Sequence, residues 1–169
     1  PGVRFHMCML FMCFHSTVFA AHPISTSVQE MTTKQEKAIE SIRNLHHFFQ
    51  QWYNAHLEKT EASFQPLQKT LAHDFSFITT GGRVLSRQAV IDFVWQGYGQ
   101  YKDNPIQIWT ENETVRTEGE TLMLAWYEEH QQHAKKTQRM SSVVLRIPEE
   151  PDQTIQWLHV HESWIDDGQ

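Results

Sequence analysis

Cysteine is almost missing from this chain. Its 169 residues hold two, Cys8 and Cys13, and none from Met31 onward. Over that stretch neither a disulfide framework nor a cysteine-based metal site can be built. Cationic side chains are also short: 14 Lys and Arg stand against 20 Asp and Glu, a net charge of −6. With no basic stripe to neutralise phosphates, nucleic acid is not expected as a partner. Gly-rich fingerprints are lacking as well. The pair Gly81-Gly82 has no Lys-Ser or Lys-Thr after it, so it reads as a tight turn and not as a phosphate cradle. Long apolar runs are absent; residues 7–14 come nearest and are too short to span a bilayer, so no membrane partner is expected.

What is present is enough for one core. Apolar residues make up 40% and aromatic residues 12% of the chain, which at this length suits a single domain. Eleven histidines mean that charge changes steeply between about pH 5 and 7. Residues 1–30 differ from the rest, rich in Met, Cys, Phe and His without helical or strand period. They read as a leader or disordered tail ahead of a start at Met31, followed by a single domain over 31–167 and a cytoplasmic protein. The alternative is export: one basic residue, Arg4, precedes the apolar run, and Val18-Phe19-Ala20 before Ala21 resembles a cleavage site, so residues 1–20 could act as a signal peptide.

Thr33-Lys34-Gln35-Glu36 has capping-box spacing. Ala38, Ile42, Leu45, Phe49, Trp52 and His56 then recur at helical intervals, predicting a long amphipathic helix. His46 and His47 read as stripe-edge residues with solvated rings. Phe64, Leu67 and Leu71 predict a second, short helix with Pro66 in its first turn. His73-Asp74 lead into a strand over 75–78, closed by Gly81-Gly82. Ser86 can cap a third helix with Val90, Phe93, Val94 and Tyr98 on its apolar face, ended by Gly97 and Gly99. Strands are predicted over 106–117, 121–130, 137–147 and 154–166. Connections this short demand antiparallel neighbours, hence a meander. Helices first and a sheet folded against them make the class α+β.

The last strand alternates two residue sets: Leu158, Val160, Glu162 and Trp164 against Trp157, His159, His161 and Ser163. The first starts apolar and ends in a carboxylate, as expected of a strand running from a core to a pocket mouth. Three helices, a short strand and a closing four-stranded meander resemble the nuclear transport factor 2-like cone. The ending His159-Val160-His161-Glu162-Ser163, just after Trp157, is similar to the His-x-His-x-Ser ending of the SnoaL-like branch. The association domain of calcium/calmodulin-dependent protein kinase ends similarly. The resemblance covers about residues 33–166 and implies three N-terminal helices packed on a curved antiparallel sheet. It does not imply one function, because this superfamily holds isomerases, cyclases, dehydratases, binding modules and assembly hubs. The kinase domain lines its cavity with arginines; ungapped alignment sets Glu128 and Glu162 at two of those positions, so an acidic pocket is expected. No motif matches the catalytic trio of ketosteroid isomerase.

Pleat alternation assigns a cone-facing set of Leu122, Leu124, Trp126 and Glu128, then Met140, Ser142 and Val144, then Leu158, Val160, Glu162 and Trp164. Tyr53, Trp95 and Tyr98 are expected to complete the ligand-binding lining from the helices. Glu128 and Glu162, on alternate strands with Ser142 between, are candidate proton-transfer groups, since burial beside Trp126 and Trp164 raises a carboxylate's pKa. Asp74 could reach the same mouth, although Asp before a strand usually serves a turn. The alternative places the glutamates at a solvated rim or paired with Arg139 or Arg146. Tyr127, Arg139, Trp157, His159 and His161 are assigned to the opposite face as a dimer surface. His159 with His161, or His130 with His133, could hold zinc only with a third ligand, and neither a metal nor any cofactor is expected. A Ser163-His161-Glu162 triad fails, because Glu162 points away from the other two. The leading expectation is a homodimer that binds a small organic molecule in a partly apolar, acid-rimmed pocket. An isomerase, dehydratase or cyclase using a pocket carboxylate is the second reading, and a hub-like oligomerisation module the third.

Overall fold

The computed structural model describes residues 26–148, 150 and 153–165, so most of the expected leader lies outside the described residues. Helix α1 (Thr26–Tyr53) runs for 28 residues and starts ahead of the expected cap at Thr33. Thr33 lies inside it, its hydroxyl donating to the Gln29 carbonyl at 2.9 Å. Of the predicted stripe, Ala38, Ile42, Leu45 and Trp52 are buried and Phe49 is partly so, while His56 lies beyond the end of the helix and is exposed. Helix α2 (Glu61–Thr70) is capped by Thr60, whose side chain accepts from the Ser63 N–H. Pro66 sits within α2 and not in its first turn, so one backbone bond of this helix is never made. Strands β1 (Leu71–Ile78) and β2 (Val84–Ser86) form a hairpin across the Gly81-Gly82 turn. Ser86 then caps α3 (Arg87–Gln96), which ends at Gly97.

The remaining strands are β3 (Gln107–Glu118), β4 (Leu122–Gln132), β5 (Lys136–Arg146) and β6 (Gln156–Trp164). The sheet order is β2-β1-β6-β5-β4-β3. The last four strands are the expected antiparallel meander, while β1 lies parallel to β6. The three helices pack on one face of this sheet, an α+β cone. Trp52 anchors them: fully buried, it stacks on Phe48 and its Nε1 donates to the Val94 carbonyl at 2.8 Å. Truncating such a residue costs about 3–5 kcal/mol. Asn54 bonds both backbone groups of Ile106, at 2.8 and 2.9 Å, fixing where β3 enters the sheet against α1.

Sidedness is where the structure departs from the sequence pattern. The inward-facing buried set on β4 is Met123, Ala125, Tyr127 and Glu129, with His130 buried on the outer face; on β5 it is Ser141, Val143 and Leu145. These are the odd members, not the even ones expected. Both parities of β4 read apolar and then acidic, so alternation alone does not choose between them, and a one-residue slip flips every side chain. On β6, Val160 and Glu162 do face inward, because Ser141 pairs with Glu162 and Val143 with Val160. Trp157 faces inward too, against the expectation. Leu145 pairs with Trp157 but Val144 pairs with His159, so Leu158 is an extra residue, a β-bulge that resets the alternation.

Candidate functional site

The inner face of the sheet changes character along its length. Near one end Met123, Leu145, Trp157 and Leu71 share a register row, followed by Ala125, Val143, Val160 and Phe77. Toward the other end come Tyr127, Ser141 and Glu162, and then Glu129 and Arg139. Between this face and the helices lies a cavity of about 500 Å³. Leu45, Phe49, Tyr53, Phe75, Phe77 and Val94 are among its apolar walls; His46, Glu129, Gln131, Arg139 and Glu162 are its polar groups, with Thr79, Thr80 and Arg83 from the β1–β2 turn.

The polar groups form one chain of charge. His46 Nδ1 lies 2.7 Å from the Ile42 carbonyl, an acceptor only, so this nitrogen carries a proton. Nε2 lies 3.2 Å from Glu129 Oε2. Burial opposes charging the ring, but the hydrogen bond and charge of Glu129, with the Ile42 carbonyl, outweigh it and raise the His46 pKa. Glu129 shows the converse: burial favours its neutral form, yet His46, Arg139 and Gln131 hold it down at about 2. An imidazolium–carboxylate pair is therefore sealed into the cavity wall. Arg139 Nη1 donates to Glu162 Oε2 at 3.1 Å and stands 3.9 Å from Glu129 Oε1. Glu162 is pushed up to about 7 by burial and then by the Glu129 charge, against the pull of Arg139. Burial also raises the phenols of Tyr53 and Tyr127, which stay neutral.

Of the expected ligand-binding residues, Tyr53, Val160 and Glu162 line the cavity. So do Tyr127, Arg139 and Trp157, which the alternation had placed on a dimer face. Trp126, Glu128 and Ser142 lie on the outer face, in register with Thr114, Glu111 and His161. Trp95 and Tyr98 stay within the helical layer. Trp95 packs edge-on against Phe64 and the Tyr98 hydroxyl donates to the Leu57 carbonyl. Trp164 shares a register row with Arg139 but is 56% exposed at the rim, its ring 5.3 Å from the guanidinium. Asp74 and His73 belong to β1 and are exposed, and neither lines the cavity. His159 and His161 face outward as expected; His159 Nδ1 meets Ser76 Oγ at 2.8 Å and His161 is exposed.

Sequence reasoning missed His46 and Glu129. The available signal was the twin Glu128-Glu129, one carboxylate for each face, and a histidine within the otherwise apolar stripe of an amphipathic helix. The pocket is also less acidic than expected, because Arg139 and His46 match its two carboxylates. Among the described residues, one grouping has metal-ligand spacing: donor atoms of Glu111, Glu128 and His130 lie within 4.8 Å of one another on the outer face. Both His130 nitrogens already have protein partners there, Glu128 Oε2 at 3.2 Å and the Gln138 amide at 3.1 Å. His133 packs on Tyr101 instead of joining His130.

Comparison with known proteins agrees with this architecture. Residues 34–166 match the family described as sucrose-6-phosphate phosphohydrolase C-terminal. A probable sucrose-phosphatase 3a of Arabidopsis thaliana is 27% identical over 121 residues, covering 72% of this chain; the chain spans 28% of that protein's length. An NTF-2 like protein of unknown function from Pseudomonas aeruginosa superposes with a TM-score of 0.62 at 21% identity, over 83% of this chain and 98% of that one. A nuclear transport factor 2-like superfamily protein from Salmonella enterica gives 0.60 at 14% identity, over 82% and 96%. No helix among the described residues is long and apolar enough to cross a membrane. The fold is the nuclear transport factor 2-like cone, and by the match over residues 34–166 the chain belongs to the sucrose-6-phosphate phosphohydrolase C-terminal family.

Proposed function

We propose that this domain is a small-molecule-binding, self-associating cone that serves a sucrose-phosphatase-type protein as an accessory module. One observation carries the reading: a cavity of about 500 Å³, within the range of ligand sites, has apolar walls and a convergent group of buried charges. Glu129 is paired with His46 and Glu162 with Arg139, so each pocket carboxylate has a cation beside it, an arrangement suited to orienting a guest. Native mass spectrometry of protein purified from cells tests the proposal. A small adduct is expected, and Val160→Trp, which fills the cavity, should remove it. Absence of any adduct, together with no shift in melting temperature across a metabolite panel, would overturn it.

The second reading is an enzyme of isomerase, dehydratase or cyclase type. Its support is Glu162, a buried carboxylate with a pKa near 7 that faces the cavity and so exchanges protons at neutral pH. Turnover of any carbonyl substrate that falls at least a hundredfold in Glu162→Gln would favour it over simple binding. A hub with a vestigial cavity is less well supported, because the cavity here is not filled.

A further inference from the structure

The cavity also bears on what kind of molecule it takes, an inference that rests on the binding reading above. Its walls are aromatic and aliphatic along most of their length, and its polar groups are gathered at one end. A guest with hydroxyls all around, such as a free sugar, would leave many of them unpaired against those walls, each costing about 1–3 kcal/mol. A guest with an apolar body and one polar head fits that gradient. The chemistry of the head follows from Arg139. Its Nη1 is engaged by Glu162, but its Nε is buried with no hydrogen-bond partner among the described residues. A guanidinium presents parallel donor pairs along its Nη1–Nη2 and Nε–Nη2 edges. Glu162 holds Nη1 with a single oxygen, and Nε, on the other edge, is left idle.

We propose that the cone cavity binds an amphipathic organic monocarboxylate, with Arg139 as the anchor of the guest's carboxylate and Glu162 as an internal counter-ion that the guest displaces. Displacement is balanced by a proton. The guest carboxylate enters the Arg139 ion pair, Glu162 leaves it, and Glu162 takes one proton from solvent, so the net charge of the cavity is unchanged on binding. The groups facing Glu162 permit this. From α1 come His46, held by Glu129, and neutral Tyr53; from β4 come Glu129 and neutral Tyr127; from β5 comes Arg139; from the β1–β2 turn comes Arg83. Helices α2 and α3 contribute only apolar side chains to the cavity. With Glu162 protonated, His46, Glu129 and Arg139 sum to one positive charge, which a monoanion neutralises. The carboxyl of Glu162 titrates near 7, so uptake is complete only above that pH.

Calorimetry on the 169-residue chain tests this, with octanoate and phenylacetate as probes, octanol and phenylethanol as uncharged counterparts, and sucrose and sucrose 6-phosphate as sugars. The acids should bind about tenfold more weakly at pH 8 than at pH 6. Titrations at pH 8 in buffers of different ionisation enthalpy should show close to one proton taken up. Arg139→Gln should abolish acid binding, and Glu162→Gln should remove both the pH dependence and the proton. Where either variant fails to fold, proton uptake by the unaltered chain still decides. Alcohols binding as well as acids, or sugars binding in preference to both, would overturn the inference while leaving the binding reading intact. Acid binding without proton uptake would overturn the displacement step. No binding by any probe, in protein that does carry a native adduct, would overturn the monocarboxylate assignment alone; no probe and no adduct would remove both.

Discussion

His46 sits between two acceptors, the Ile42 carbonyl and Glu129, and this decides its charge and its worth. Replacing it with Phe keeps an aromatic ring but leaves Glu129 buried without its imidazolium. Breaking a buried pair in this way costs about 3–5 kcal/mol, which urea unfolding would register as a lower midpoint at unchanged slope. The double variant His46→Phe with Glu129→Gln should recover much of that loss, because the stranded charge is gone. A double variant no more stable than His46→Phe would show that the ring's packing against Tyr127, not the ion pair, carries the energy. Spacing set His46 beside the apolar stripe and offered Glu129 as one of a twin, but it did not pair them. What lies across the cavity from His46 is fixed by the register of β4, which no local pattern records. Glu162 was legible, because its strand alternates cleanly beyond residue 158.

Elements were easier to read than faces. The long helix, the Ser86 cap, the Gly-Gly turn and the meander all follow from local signals: apolar period, cap chemistry and short connections. The parallel β1–β6 pairing and the short β2 do not, since each depends on a partner distant in sequence. Sidedness failed on β4 and β5 because Leu122-Leu124-Trp126-Glu128 and Met123-Ala125-Tyr127-Glu129 are almost equally good inner faces by hydrophobicity. The register that chooses between them is set by pairing with β5 and β6. Two substitutions test this layer. Deleting Leu158 removes the bulge and lets Trp157 pair with Leu145 and His159 with Val144 in unbroken register, every side chain on its present face; near-ultraviolet circular dichroism and a cooperative transition should survive, and their loss would show that the local bend of the bulge is itself needed. Gly97→Ala places a Cβ 2.7 Å from Tyr53 Cε1, so the Tyr53 ring must shift within the cavity wall. About 1–3 kcal/mol of destabilisation is expected, measurable as a lower melting temperature, with altered Tyr53 fluorescence in a background lacking the other tyrosines.

At the scale of the whole molecule, the cavity sets the pH dependence of stability. Glu162 has a folded pKa near 7 against an ordinary value of 4.5, so its contribution is fully present below about 4.5 and is lost as pH rises through 7. That shift corresponds to about 3 kcal/mol. His46, also raised, has the same sign: its stabilisation is present below 6.5 and is lost as pH climbs past its folded value. Glu129, lowered to about 2 from 4.5, runs oppositely and matters only in acid, where stability falls as pH drops toward 2. Melting temperature should therefore decline from pH 5 to pH 8, and Glu162→Gln should flatten that decline. An equally steep decline in the variant would place the titrating groups elsewhere. The outer sheet face carries a half-buried apolar row, Leu124 and Val144 in register beside Trp126, and a second copy of the chain is the proposed occupant. Light scattering should give twice 19.9 kDa, and Trp126→Glu should halve it; a monomer at high micromolar concentration would end the dimer proposal.

The extra residue at position 158 has a use beyond curvature. It makes β6 behave as two rulers laid end to end with a one-notch offset, the first read by the apolar end of the inner face and the second by its charged end. Changes on the first ruler, at Trp157, alter the core and one wall of the cavity together. Changes at the far end of the second, at Glu162, alter what the interior recognises. A scaffold divided in this way can exchange one guest for another without re-solving its own packing.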